Sequence, residues 1–324
     1  YNLIKKSDFV IGNLECPITG HSTKEENQAV NMSAPTSSLS LIKSIQIVSL
    51  ANNHIRDFQT SGITDTQKAL KDADIKFFGV GNTQKEAIEP LKIKKNGIKV
   101  ALFGATRYAN ATKKNGGGTA KDSFSMIKKQ IKKLKKEGFF VIPYFHWGYE
   151  YVRIPSPRER KLAHKCIDAG ADIIIGSHPH IFQGVEEYRG KNIIYSLGNF
   201  IFHSSVFKGL SPVDDDPRLN ESFGFSITIN EDFSYKTKIY GYQTNDYSIS
   251  LYNQQENQKL ENKVNEISAI FKKSKLEYLK AYYKQTYDIS KQNIKVRKQL
   301  LNIKKQSITN KIKIHKAANI QNKK

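Results

Sequence analysis

The chain has 324 residues, with 52 Lys+Arg against 30 Asp+Glu, a net charge of +22 and a hydrophobic fraction of 38%. That much apolar material excludes a wholly disordered chain, and no apolar run approaches the ~20 residues of a membrane helix. Two cysteines, Cys16 and Cys166, exclude a disulfide framework and a cysteine zinc site, and both read as buried, inert thiols.

The first residue is Tyr1 and no signal peptide is visible, which reads as a processed, trimmed or fragmentary chain. Charge is unevenly spread. Residues 251–324 hold 18 basic and 5 acidic side chains, are rich in Asn and Gln, and contain neither Gly nor Pro. A boundary near residue 250 follows from that shift.

In chain order, Asp8–Ile11 is predicted as a strand running into Gly12-Asn13-Leu14-Glu15. Ile45–Leu50 is a second, ending in Ala51-Asn52-Asn53-His54. A helix over about Thr60–Ala73 sets Ile63, Leu70 and Ala73 on one face. Strands follow near Ile75–Val80, Leu91–Lys95 and Lys99–Gly104. Gly116-Gly117-Gly118 has no strand running into it and reads as a flexible loop, not a phosphate cradle. Ser123–Lys136 carries Phe124, Ile127, Ile131 and Leu134 at helical spacing, closed by Gly138.

A near-continuous apolar strand, Phe139–Phe145, leads to His146. The helix Pro157–Ala169 lies between an N-terminal Pro and Gly170. Asp172–Ile175 is a buried strand leading to Gly176-Ser177-His178-Pro179-His180. Val185–Tyr188 and Asn192–Ser196 flank a turn, Asp214–Asp216 reads as a solvated insertion, and Phe223–Asn230 with Tyr235–Tyr242 forms a closing hairpin. In the tail, Leu260, Val264, Ile267, Ile270 and Phe271 make an apolar helical stripe, continued by Leu276, Leu279, Tyr282 and Tyr283. Beyond about Lys291 the pattern thins and fraying is expected.

Strand–helix alternation with apolar strands predicts an α/β layered fold, helices covering the sheet faces. Four polar motifs fall just past strand ends, the edge where open α/β folds bind ligands. Of eight histidines, His54, His146, His178 and His180 sit at such ends, while His21, His164, His203 and His315 do not. Neutral imidazole is the commonest protein ligand for transition metals. The spacing of His178 and His180 around Pro179 can point both rings into one pocket. Glu15 and an Asn amide oxygen add oxygen donors, and this mixed set without thiolate suits divalent ions of the Mn, Fe or Zn type.

The strings NLECPIT, SLANNHIRD, HWGYE, DAGADIIIGSHPHIFQGVE and IIYSLGNFIF resemble the CapA family of poly-γ-glutamate capsule biosynthesis, over about residues 7–204. That family belongs to the metallophosphatase-like, calcineurin-type superfamily. The resemblance implies a metallophosphatase-like layered sandwich over residues 1–245, N-terminally incomplete, with a basic helical appendage over 252–324. It implies one or two divalent metal ions held by Glu15, Asn53, His146, His178 and His180. His54 takes the role of general acid or transition-state stabiliser, and Glu150 is expected to face the pocket and meet substrate. The family normally opens with a strand ending in Gly-Asp that supplies one more ligand; nothing before Asn13 matches it, and that strand is expected upstream, beside those ending in NLE and ANNH.

The implied function is metal-dependent hydrolysis of the polymer or a phosphorylated precursor. The alternatives are a non-catalytic polymer-binding or export subunit, and a general phosphoesterase. The basic balance fits a polyanionic partner. Nucleic acid and anionic membrane suit the charge equally. With the family in view, a capsule-synthesis complex, peripheral membrane contact and a cell-envelope location are expected, and nucleic acid is not.

Overall fold

The structure is a computed structural model describing residues 4, 6–25, 30–112, 116–202, 216–245 and 248–292. His203, His315, Asp214, Asp215 and the thinning tail from residue 293 lie outside the described residues.

Residues 11–81 form β1 (Ile11–Asn13), β2 (Ile47–Ser49), helix α1 (Gln59–Asp72), β3 (Lys76–Phe78) and the short β4 (Val80–Gly81). The next stretch contains the one-turn α2 (Gln84–Ala87), β5 (Leu91–Lys95), β6 (Ile98–Thr106), β7 (Gly118–Thr119), α3 (Phe124–Lys136) and β8 (Phe140–His146). Then come α4 (Pro157–Asp168), β9 (Ile174–Ser177), β10 (Val185–Tyr188) and β11 (Lys191–Ile194). The C-terminal part holds β12 (Glu221–Ile229), β13 (Tyr235–Asn245), β14 (Ser248–Leu251), α5 (Gln254–Ser268) and a last helix, α6, over residues 275–292.

Three sheets build the frame. A six-stranded sheet has the order β10-β11-β9-β8-β6-β5, with β11, β9, β8 and β6 parallel. β1-β2-β3 is a small parallel sheet and β12-β13-β14 an antiparallel one. Alternate side chains of β8 sort the layers. Val141 and Phe145 join Ile127, Ile131 and Leu134 of α3 and Leu162, Ala163 and Cys166 of α4. Phe140, Ile142 and Tyr144 face the other way and meet Ile47, Phe78 and Phe223 of the two smaller sheets. The opposite face of β2 meets Ile63, Ala69 and Leu70 of α1. The strands are apolar on both sides because both faces are covered.

Several boundaries differ from the sequence reading. β1 starts at Ile11, so Gly12 and Asn13 lie inside the strand, in register with Val48 and Ser49. Asp8 is outside it, 3.8 Å from Lys95. The run Ile75–Val80 is broken at Gly79, whose φ of +95° ends β3 before β4. Ala73 is exposed as the α1 C-cap, and Ala69 is buried in its place. The glycine run is partly a strand: Gly118–Thr119 pairs with β4, and Gly117 accepts a hydrogen bond from Arg56. β14 adds a third strand to the predicted hairpin. Leu260 and Val264 of α5 belong to the same core cluster as Ile47 and Phe223. On α6, Tyr278 and Tyr282 are buried whereas Leu276 and Tyr283 point outward, so the predicted continuous stripe is split between two faces.

One buried ionic cluster ties these layers together. Glu186 on β10 accepts hydrogen bonds from Arg160 (2.7 Å), His164 Nε2 (3.0 Å) and Tyr195 Oη (2.6 Å), and Arg160 also donates to Phe271 O (2.8 Å). Burial acts to raise the Glu186 pKa, but the bonds from His164, Arg160 and Tyr195 outweigh it and hold it lowered. A depressed carboxyl contributes stability that is present above its unfolded pKa, about 4.3, and is lost as pH falls through the folded value. Glu186→Gln should therefore cost about 3 kcal/mol at neutral pH. Its loss of stability below pH ~4.5 should be shallower than that of the parent chain. Urea denaturation at neutral and acidic pH checks both, and parental behaviour of the variant would refute the assignment.

Candidate metal centre

The parallel register brings strand ends to one edge. Thr106, His146 and Ser177 are in register across β6, β8 and β9, and Thr106 Oγ1 donates to His146 O (2.7 Å). In the small sheet Asn13 and Ser49 are level, so the segments carrying Glu15 and Asn52-Asn53-His54 leave together. Asn52 joins them: its Nδ2 donates to Leu14 O (2.7 Å) and its Oδ1 accepts from His54 N (3.1 Å). Only glycine allows the approach to β6. A Cβ on Gly104 would lie 2.6 Å from Ala51 Cβ, and one on Gly79 would lie 2.7 Å from it.

Glu15, His146 and His178 each offer one ligand atom, all within 4.8 Å of one another. His146 Nε2 is 2.6 Å from Asn53 Oδ1 and 3.4 Å from Glu15 Oε1, and His180 Nε2 is 3.9 Å from the same carboxylate oxygen. The rings of His146 and His178 are 4.7 Å apart, those of His178 and His180 6.2 Å. His146 Nδ1 lies 3.0 Å from Ser177 Oγ, which itself donates to Phe145 O. Because the Asn53 amide oxygen can only accept, its 2.6 Å contact puts a proton on His146 Nε2, the nitrogen that faces both oxygens. His180 Nδ1 is similarly held by Asn199 Oδ1 at 3.0 Å. Glu15 Oε1 and His178 Nδ1 are both buried without a hydrogen-bond partner.

Electrostatics match the geometry. Burial acts to raise the Glu15 pKa, but the imidazoles of His146 and His180 outweigh it and hold the group far below the usual carboxylate range. Burial, reinforced by His146, pushes His178 well below its ordinary value, so its ring is neutral with a free lone pair. Cys16, beside Glu15, is pushed up to about 11 by burial and then by Glu15 and Asp57. Cys166 is raised by burial, and both cysteines are free thiols. The cluster opens into a cavity of about 1570 Å³ that also reaches Phe9, Ile11, Leu102 and Phe225.

His54 stands apart from the ligand cluster. Its Nδ1 lies 2.7 Å from Oδ2 of Asp57, a fully buried carboxylate that also accepts from Met32 N (2.7 Å). Burial acts to lower the His54 pKa, but the Asp57 hydrogen bond and charge outweigh it and the pKa is raised, with smaller contributions from Glu15 and Glu150. Glu150 itself sits in the turn after His146 and is not among the converging ligand atoms.

The fold thus brings together Glu15, Asn53, His146, His178 and His180, with His54 beside them. Sequence reading missed Asp57, Ser177 and Asn199, which orient three of the histidines. The available signal was proximity: Asp57 closes the same NNHIRD string, and Ser177 precedes His178.

The molecule is therefore an α/β protein with a carboxylate–imidazole pocket at the ends of parallel strands. The pattern of the family described as bacterial capsule synthesis protein PGA_cap matches residues 1–204, and the chain belongs to that family. It is 38% identical over 212 residues to the capsule biosynthesis protein CapA of Bacillus anthracis, covering 61% of this chain and 51% of that protein. It is 33% identical over 207 residues to the PGA biosynthesis protein CapA of Bacillus subtilis, covering 62% and 54%. A probable polyglutamine synthesis accessory protein of Mycobacterium tuberculosis is 26% identical over 211 residues, covering 60% and 56%. The chain spans about half the length of the curated relatives it matches.

Because Asp57 is the largest influence opposing the burial of His54, Asp57→Asn should lower the His54 pKa from its raised value. An NMR titration of the ring Cε1–H signals reads this directly. An unchanged His54 titration would show that the Asp57 contact is not what holds the proton.

Proposed function

We propose that this chain is a metal-dependent hydrolase of capsule biosynthesis, built on a metallophosphatase-like sandwich and acting on poly-γ-glutamate or a phosphorylated precursor. The reading rests on the convergence of Glu15, His146 and His178 ligand atoms within 4.8 Å. Buried Glu15 Oε1 and His178 Nδ1 have no hydrogen-bond partner, and a cation between them would satisfy both. Glu15, Asn53, His146, His178 and His180 would hold one or two ions of the Mn, Fe or Zn type. Bound there, a divalent ion would lower the pKa of a water and polarise the attacked ester or amide.

The chain's own residues supply the rest. Asp57 grips His54 at Nδ1 and leaves Nε2 to give a proton to the leaving group, worth ~10²–10⁴-fold. Ser177 and Asn199 keep the rings of His146 and His180 turned, as partners of ligating histidines generally do. Glu150, in the turn after His146 and close enough for its charge to act on His54, would meet substrate. A net charge of +22 favours a polyanionic polymer as partner and suits work within a capsule-synthesis complex at the cell envelope.

Metal analysis, with cleavage assays on poly-γ-glutamate and on a phosphate ester, tests this reading. The parent chain should retain divalent metal and cleave one substrate. Glu15→Gln, His178→Ala and His180→Ala should lose metal and activity together. His54→Ala should keep its metal and slow turnover ~10²–10⁴-fold. Metal-loaded protein that binds polyglutamate and cleaves neither substrate would replace the hydrolase with a polymer-binding subunit.

A further inference from the structure

Helix α6 has two faces that do different things. Tyr278 and Tyr282 pack with Val152 and Ile154, Tyr278 Oη donates to Pro155 O (2.6 Å), and Gln285 Oε1 accepts from Arg153 N (3.0 Å). This face clamps the helix to the segment that follows Tyr151, whose ring stacks on His180. On the opposite face stand Leu276 (61% exposed), Tyr283 (61%) and Tyr287 (58%), three of the six exposed large apolar side chains among the described residues. Their spacing, i, i+7, i+11, aligns them in one stripe, and Lys280, Lys291 and Lys284 flank it along one side. Lys291 Nζ rests 4.7 Å over the Tyr287 ring. The acidic residues of the helix, Glu277 and Asp288, lie next beyond these lysines on the same side, and Glu277 is occupied at the helix start by Ser274.

A solvent-facing helix stripe is ordinarily polar throughout, and aligned exposed apolar side chains mark a contact surface. The composition selects the partner. Protein interface cores take Tyr but are depleted in Lys. Single-stranded nucleic acid is held in grooves that follow its backbone, and one convex helix stripe has no walls. Tyr and Leu interleaved with Lys instead match the boundary of a bilayer, where rings sit at headgroup depth and ammonium groups meet lipid phosphates. We propose that Leu276, Tyr283 and Tyr287, with Lys280, Lys284 and Lys291, form a docking face for an anionic lipid surface. The clamp to residues 152–155 would then hold the pocket at a set height above that surface.

The test is co-sedimentation of the full chain with vesicles of about 30 mol% phosphatidylglycerol in phosphatidylcholine at roughly 0.15 M salt. Leu276→Ser/Tyr283→Ser/Tyr287→Ser leaves every charge in place and should partition on the order of tenfold more weakly, with an unchanged far-UV spectrum. Binding equal to the parent would overturn the proposal, since the charge of residues 293–324 alone would then account for it. As a second readout, Tyr287→Trp should show a blue-shifted emission when vesicles are added, against the constant background of buried Trp147. An emission unmoved by vesicles refutes insertion. Self-association of the parent chain that is lost in the triple Ser variant, without vesicles present, would assign the stripe to a second copy instead.

Discussion

Glu15 carries a negative charge into a place where little water reaches it, and the surroundings must answer for that. Two imidazoles do so. Those of His146 and His180 face its Oε1, and His178 stands neutral beside them. A half-buried carboxylate with one oxygen sealed from water and unpartnered is costly if nothing compensates it. The histidines would be equally costly if each had to be buried charged. On the proposed reading, a cation shared among these donors would remove both problems at once. The polar residues around them, Asn53, Ser177 and Asn199, fix ring orientation and proton position.

Such a cluster can be assembled because parallel strands finish level. His146 is the last residue of β8, held in register with Ser177 of β9, while Asn13 of β1 matches Ser49 of β2. The two sheets meet across one apolar layer that includes Ile47, Ile142 and Ile175, so their ends share an edge. The fit there is close enough that Gly79 and Gly104 have no room for a Cβ. A rigid scaffold carrying functional loops at its edge is the common arrangement for ligand sites in α/β folds.

The basic C-terminal part is not simply an addition to this frame. Leu260 and Val264 of α5 complete the layer between the sheets, and Ser268 Oγ accepts from Val185 N on β10. Phe271 packs at a tilt against Tyr195 and covers Arg160, the cation that holds Glu186. Burial of this kind ties the position of α6 to the core and, through Val152 and Ile154, to the loop after His146. The two helices α5 and α6 therefore sit in a defined relation to the pocket.

Much of this was legible from residue order alone. Leu91–Lys95 is bounded in the structure as in the sequence reading, and α1, α3 and α4 lie within a residue or two of their predicted spans, because helical periodicity and Pro or Gly punctuation are local signals. The histidines at strand ends were visible for the same reason, since each follows its own apolar run. What the linear order could not contain was pairing. That Asp57 is the buried partner of His54, or that Asn199 holds His180, depends on which side chains a turn points inward. Gly118–Thr119 became a strand only because β4 lay beside it. On α6, helical spacing could group Leu276 and Tyr283 with Tyr282, but only contact with Val152 and Ile154 decided which face is buried. Residue type and spacing determine which chemistry the chain can offer; tertiary packing decides which groups lose water together, and that shared loss turns scattered donors into one site.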